Sequence, residues 1–203
     1  MLDAAPVDYD RSVQILLRRA PDLASWEARA FWTDSRAGAG SGDNRDQHER
    51  EVGREPPGPP LEDGPHRRAA AAILRYEVFP PRLVSGVLRR VPVEVGDTVG
   101  ICYHAPGLDL FFAARVTARF DHADGGWWRT GFTYRTLVGH PELGEETFSA
   151  EKELASGCVR VSLRAWSRPG TALARVFAPI VRRLQLHASA RALEHLEQLA
   201  RGR

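Results

Sequence analysis

The second half of the chain alternates apolar and polar residues with a period of two, which predicts a series of β-strands. Six strands are predicted, at Val84–Val91, Thr98–His104, Leu110–Phe120, Gly126–Leu137, Glu145–Lys152 and Val159–Trp166. The third strand is expected to place one set of side chains on a single face, namely Phe112, Ala114, Val116, Ala118 and Phe120. The connections are short and contain Gly, Pro or Asp, so successive strands should be neighbours in an antiparallel meander.

Three segments instead have the spacing of amphipathic helices. They are Tyr9–Arg19, His66–Val78 and a long C-terminal segment from Ser167 to about Ala200. Ser167 is a suitable N-cap, with Pro169 early in the first turn. Pro179 lies inside the apolar stripe of this helix, so the helix is expected to kink or divide there.

The order of these elements predicts an α+β fold of the helix-grip type: a curved antiparallel sheet of six or seven strands packed on a long C-terminal helix. Such a sheet often leaves a cavity beneath the helix. The expected organisation is an N-terminal helical extension at 1–35, a Gly/Pro-rich mobile loop at 36–65 and the helix-grip domain at 66–203. One short strand is predicted inside the loop, around Gln47–Val52, because the sheet otherwise lacks a first strand.

Composition is ordinary for a globular domain, with 43% apolar residues, 27% charged residues and a net charge of +2 in 203 residues. Of the 28 basic residues only Lys152 is a lysine, which we attribute to a GC-rich coding sequence. The arginines are dispersed and balanced by acids, so no nucleic-acid partner is predicted. No signal peptide is recognised and no apolar run approaches the roughly 18 residues that span a membrane, so a cytoplasmic location is expected.

The cysteines, Cys102 and Cys158, lie far apart in apolar strand-like segments and match no metal or redox spacing. We therefore interpret them as small buried thiols. No cofactor and no metal site are predicted.

The densest candidate chemistry lies in the segment 131–148, GFTYRTLVGHPELGEETF, which is typical of strand, turn and strand. His140 in the turn is a candidate general acid or base, since its ordinary pKa is about 6.5, and the simpler alternative is a turn histidine that holds a neighbouring group. Glu145 and Glu146 are adjacent on a strand and should point to opposite faces. The arginines available to pair with them are Arg115, Arg135 and Arg168.

The same segment resembles the signature of an uncharacterised family, DUF1990, which reads G-F-x-Y-G-T-L-x-G-H-P-x-x-G-E-E-x-F. The resemblance extends over about 45–200: 66–79 is similar to the first helix of the family, and its C-terminal block is matched by Ser167-Arg168-Pro169, Leu173-Ala174-Arg175, Pro179, Arg182 and Gln185. It implies a START-like, birch-pollen-allergen-like helix-grip fold and no established activity. Arg135 stands where the family has glycine, so it would need a different backbone if that glycine has a positive φ.

These features favour a protein that binds a small apolar or amphipathic molecule between sheet and helix. The expected apolar wall consists of Phe112, Phe132, Phe148, Leu173 and Phe177. The expected polar end consists of Tyr134, His140, Arg168 and either Glu145 or Glu146. One alternative is a hydrolase, isomerase or cyclase in which His140 and a glutamate carry protons. Another is an interaction module without ligand that uses Trp26, Phe31 and Trp32, and the sequence leaves a homodimer open.

Overall fold

The computed structural model describes residues 43–105, 108–137, 140, 142–169 and 176–202. The predicted helix at Tyr9–Arg19, the aromatic residues of 26–32 and Leu173 lie outside the described residues. The elements are β1 Asn44–Arg54, α1 Pro65–Leu74, β2 Val84–Val87, β3 Thr98–Ala105, β4 Leu108–Asp124, β5 Trp127–Thr136, β6 Glu142–Glu153, β7 Cys158–Pro169 and α2 Ala178–Ala200.

The strands form one antiparallel sheet in the order β1-β7-β6-β5-β4-β3-β2. The predicted meander from the second strand to the last is confirmed, and the fold is α+β helix-grip. The first strand is longer than the predicted Gln47–Val52 and pairs with β7 along its whole length. Part of the segment predicted as a loop therefore forms one edge of the sheet.

On β1, alternate side chains face α2. Arg50 donates a hydrogen bond to Glu197 of the helix at 2.8 Å, Asp46 forms an ion pair with Arg182, and Val52 is buried. These contacts attach the edge strand to α2.

A β-bulge at Thr117 corrects the predicted face of the long strand β4. In the register, Val116 opposes Tyr134 whereas Ala118 opposes Thr133, so Thr117 is an extra residue. An extra residue exchanges the two faces of the strand beyond it. Val116 is therefore buried as predicted, but Ala118 is exposed.

The first helix ends four residues before the predicted Val78, because Tyr76 has a positive φ of 56°. The ring of Tyr76 then turns into the core, where its centroid lies 6.3–6.4 Å from those of Phe132, Tyr134 and Phe148. Gly86 on β2 makes room for this ring, since a Cβ built there would lie 2.3 Å from Tyr76 Cδ1.

The prediction that Ser167 caps the last helix is wrong. Ser167 is a residue of β7, which runs on to Pro169 because β6 and β1 both offer it backbone partners, Gly144 and Asn44. Val176 is helical and Phe177 forms a turn before the helix Ala178–Ala200 begins, so the helical segment divides at Phe177, close to the predicted position, and Pro179 occupies the first turn of the second part. Neither described helix is both long and apolar enough to cross a membrane.

Buried charges near α1 are paired. Lys152 Nζ donates at 2.9 Å to Glu55, which also accepts from the backbone N–H groups of Leu61 and His66. Glu151 is fully buried and lies 2.8 Å from Arg160. This end of the molecule is closed and electrostatically compensated.

Candidate functional site

A cavity of about 560 Å³ lies between the sheet and the N-terminal half of α2. Each of the seven strands contributes residues to the cavity wall. The helix contributes Val181, Leu184, Gln185, Ala188 and Ser189. Much of the wall is aromatic, and these rings belong to Tyr76, Phe79, Tyr103, Phe112, Tyr134, Trp166 and Phe177. A largely apolar wall with a few polar groups is the usual composition of a small-molecule site.

The structure brings most of the sequence-predicted site residues to this cavity. Its lining includes Phe112, Tyr134, His140, Glu145, Glu146 and Phe177. Phe132 and Phe148 are instead fully buried behind the wall, where the Phe148 ring lies 5.4 Å from that of Tyr134. Arg168 is not among the lining residues, and its guanidinium lies 3.8 Å from Asp43.

Glu146 and Tyr134 form the most perturbed pair in the cavity. They oppose each other across β5 and β6, and the Tyr134 hydroxyl donates to Glu146 Oε2 at 2.7 Å. Burial raises the pKa of Glu146 to about 7, and the hydrogen bond from Tyr134 only partly offsets this effect. The carboxyl group is therefore close to half protonated at neutral pH.

Glu145 also borders the cavity, but it has a different partner. It accepts a hydrogen bond at 2.8 Å from Arg135, the residue opposite it on β5. Arg135 has no positive φ and continues the strand regularly, so the residue that replaces the family's glycine needs no special backbone here. Arg115, the other arginine considered as a partner, donates to the carbonyl of Gly96 at 3.0 Å.

His140 lies in the cavity wall but is held by its own turn. Its Nδ1 accepts the backbone N–H of Glu142 at 3.0 Å, and its ring meets Phe112 edge-on with centroids 4.4 Å apart. Burial lowers the pKa of His140 to about 4, so the ring is neutral at pH 7. Among the described residues no hydrogen bond joins His140 to a carboxylate side chain.

Sequence reasoning missed the cavity residues whose polar atoms have no hydrogen-bond partner in the described part of the chain. These atoms are His48 Nε2, Tyr76 OH, Glu142 Oε2 and Gln185 Oε1. Glu142 lies beside Ser167, to which Gln185 Nε2 donates at 3.5 Å, and burial raises the pKa of Glu142. Gln185 belongs to the C-terminal block of the family resemblance, which was the one available signal.

Comparison with known proteins gives a family and a fold. The family described as Domain of unknown function (DUF1990) matches residues 30–195. A UPF0548 protein from Dictyostelium discoideum is 29% identical over 126 residues, which cover 59% of this chain and 58% of the relative. The chain thus spans less than two thirds of the length of that curated relative.

Solved structures resemble the chain in fold alone. A hypothetical protein from Helicobacter pylori has a TM-score of 0.50 at 10% identity, covering 83% of this chain and 93% of its own. Ara h 8.0201 has a TM-score of 0.44 at 11% identity, with coverage of 80% and 100%. The first of these likenesses supports the assignment of the helix-grip architecture.

Proposed function

The chain belongs to the DUF1990 family, which has no assigned activity, and from that premise we propose that the protein binds a small, largely apolar molecule in the cavity beneath α2. The volume of about 560 Å³ lies within the roughly 300–1,000 Å³ usual for small-molecule sites. In this proposal Tyr134, Glu146 and His140 supply its polar contacts. The aromatic rings supply most of the contact area.

The observation that carries this proposal is the set of unpaired polar atoms on the cavity wall. Buried polar groups in native proteins are nearly always hydrogen-bonded, and an unpaired one costs about 1–3 kcal/mol. Four buried atoms that lack a partner among the described residues belong to the cavity residues His48, Tyr76, Glu142 and Gln185, whereas others, such as His66 Nδ1 and Ser162 Oγ, lie outside it. A ligand with hydroxyl, carbonyl or amine groups would satisfy the four cavity atoms while its apolar body fills the remaining space.

The test uses native mass spectrometry of the full chain, followed by the denatured sample, and a titration with the apolar dye anilinonaphthalene sulfonate. We expect a mass excess that denaturation removes, or saturable dye binding that competes with added ligands. Ala188→Trp would place an indole in the cavity, whereas Ala190→Trp on the exposed side of the same helix is its matched control. Equal binding by both variants, or none by the wild type, would contradict the proposal.

A second candidate function is proton transfer to the bound molecule, and the pKa of about 7 for Glu146 favours it. A carboxyl group poised near neutral pH can remove a proton from a carbon next to a carbonyl and return it elsewhere, as an isomerase does. The role of proton carrier then falls on Glu146, because a pKa of about 4 makes His140 a weak base and its Nδ1 already accepts the Glu142 backbone N–H.

This second candidate is tested with the molecule recovered from the cavity. Incubated in deuterated water with the wild-type protein, it should exchange a carbon-bound proton at a rate that changes around pH 7. Glu146→Gln should abolish this exchange and His140→Gln should retain it. Exchange that survives in Glu146→Gln would exclude the carboxyl as the proton carrier.

A further inference from the structure

A second group of polar side chains lies on the face of the sheet that points away from the cavity. Tyr103 on β3 borders the cavity, so its neighbours Cys102 and His104 point to the opposite face. The register places Asp109 of β4 directly opposite His104, and Ser85 of β2 directly opposite Cys102. Three adjacent strands therefore converge on one spot of the outer face.

The atoms in this group have the separation that a metal ion requires. Cys102 Sγ lies 4.0 Å from His104 Nδ1, and Asp109 Oδ1 lies 2.9 Å from the same nitrogen. One ligand atom of each of the three residues lies within 4.8 Å of the others. Tetrahedral zinc, with bonds of about 2.0–2.3 Å, holds its ligand atoms roughly 3.3–3.7 Å apart. The observed distances bracket these values, so small side-chain rotations would complete the geometry.

Burial and accessibility also suit a bound ion. Cys102 is only 2% exposed, yet it belongs to neither apolar cluster of the described core. The side chains of His104 and Asp109 are 32% and 28% exposed, so an ion can reach them from solvent. The thiol is thus sheltered while the other two ligands form an open side.

Ser85 orients the imidazole for this role. Its Oγ lies 3.0 Å from His104 Nε2, which leaves Nδ1 directed at Cys102 and Asp109. With a metal on Nδ1, the Nε2–H donates to Ser85 Oγ, the arrangement in which histidine ligands are usually held. Without a metal, Nδ1–H donates to Asp109 and Nε2 accepts from the serine. The ion therefore replaces a proton and leaves the contact with Ser85 in place.

We propose that Cys102, His104 and Asp109 form a site for zinc or a similar divalent transition metal, separate from the cavity. Thiolate and imidazole ligands favour zinc over magnesium or calcium. Within the described residues the group has three such members, so the fourth position is available to water or a small ligand. No sequence motif predicts this site, because strand pairing across a hairpin and an edge strand assembles it.

The test measures metal binding by the full chain after chelator treatment. We expect one equivalent of Zn²⁺ per chain in competition with a chromogenic chelator, and a sulfur-to-metal charge-transfer band with Co²⁺ that reports ligation by the thiolate. Cys102→Ser and Asp109→Asn should weaken zinc binding at least about tenfold, and Ser85→Ala by about 10–100-fold through the orientation of the imidazole. Cys158→Ser and His122→Ala are matched controls away from the site and should bind as the wild type does.

Absence of zinc binding by the wild type overturns the proposal, and the group is then only a set of hydrogen-bonded side chains. Equal zinc affinity in the wild type, Cys102→Ser and Asp109→Asn overturns it as well, as does loss of the Co²⁺ band in Cys158→Ser. Circular dichroism verifies that each variant is folded. The two site variants are nearly isosteric with the residues they replace. If Cys102→Ser does not fold, Asp109→Asn decides the question, because its Co²⁺ band should then appear only at higher Co²⁺ concentrations than in the wild type.

Discussion

The two halves of α2 cover two different interiors. The C-terminal half packs on α1, where Arg68 Nε donates to the carbonyl of Ala200 at 2.7 Å and Leu193 and Leu196 are buried. The N-terminal half lies over the cavity, and there Ile180 and Leu184 remain 58% and 41% exposed. One half of the helix is thus packed against the core, whereas the other half covers an open cavity.

The polar groups differ in the same way. At the end near α1, Lys152 and Glu55 are both buried and paired, and Glu55 has further backbone donors. Around the cavity, Tyr76 and Gln185 each keep a buried atom without a partner in the described residues. Near α1, His66 Nδ1 also lacks a partner in the described residues, so the two ends differ in their charged groups and in open space rather than in every polar atom. We infer that the end near α1 provides stability, whereas the cavity end leaves room for an occupant. The variants below test this division, beginning with the largest expected effect.

Lys152→Met should lower the free energy of unfolding by about 3–5 kcal/mol, because it leaves Glu55 buried without its counter-charge. Urea denaturation measures the loss. Arg54→Ala removes an exposed arginine that pairs with Glu51, and it should cost less than about 1 kcal/mol. Similar losses for the two variants would show that the buried pair does not stabilise this end.

Leu196→Ala and Leu184→Ala remove the same side chain from the two halves of α2. Leu196 is fully buried, so its loss should cost about 2–4 kcal/mol of unfolding free energy. Leu184 is partly exposed above the cavity, so its removal should cost less than about 1 kcal/mol but weaken binding of the apolar dye. Denaturation and dye titration of both variants measure this difference between the two halves of the helix. Equal losses of unfolding free energy in Leu184→Ala and Leu196→Ala would contradict the prediction.

Glu146→Gln should change how stability depends on pH. Folded Glu146 keeps its proton up to about pH 7, whereas the unfolded residue loses it near 4.5, so the folded state binds more protons between these values. Stability therefore falls as pH rises through this window. The side chain is half-buried beside a cavity, so we expect the variant to gain about 1–2 kcal/mol relative to wild type between pH 4.5 and 8.

The measurement is denaturant unfolding across that pH range, with Glu145→Gln as the control. Glu145 is paired with Arg135, and its replacement should leave the contribution of Glu146 to the slope in place. An unchanged slope in Glu146→Gln would mean that the carboxyl is ionised in the folded protein.

His140→Gln should produce a smaller change of opposite sign. The pKa of folded His140 is about 4 against 6.5 for the unfolded residue, so the unfolded state binds more protons between these values. Stability is complete above pH 6.5 and is lost as pH falls toward 4. The His140 side chain is only partly buried, so acid sensitivity should decrease by about 1 kcal/mol. Buried His66, whose pKa is also about 4, keeps its own contribution in the variant. If the stability of His140→Gln depended on pH as that of the wild type does, His140 would be exposed to solvent in the folded protein.

Residue patterning by itself determined the meander and the buried faces of its strands, except in β4 beyond Thr117. The alternation in the six predicted strands requires only that one side of each strand be buried, and this is a local property. For the same reason it predicted that Glu145 and Glu146 would have different surroundings, as their separate partners Arg135 and Tyr134 confirm. Together with the family signature, it also brought Tyr134, His140 and Glu146 into one proposed site.

Only the tertiary structure decided which strand pairs with β1 and where the pattern shifts. Pairing of β1 with β7 drew Ser167 into the sheet instead of the helix and placed His48 in the cavity. The bulge at Thr117 exchanged the faces of β4, and the positive φ of Tyr76 turned its ring inward. These outcomes depend on contacts between segments far apart in the chain, whose energies a local pattern does not contain. The same is true of the outer group of Cys102, His104 and Asp109, which exists only because three strands align.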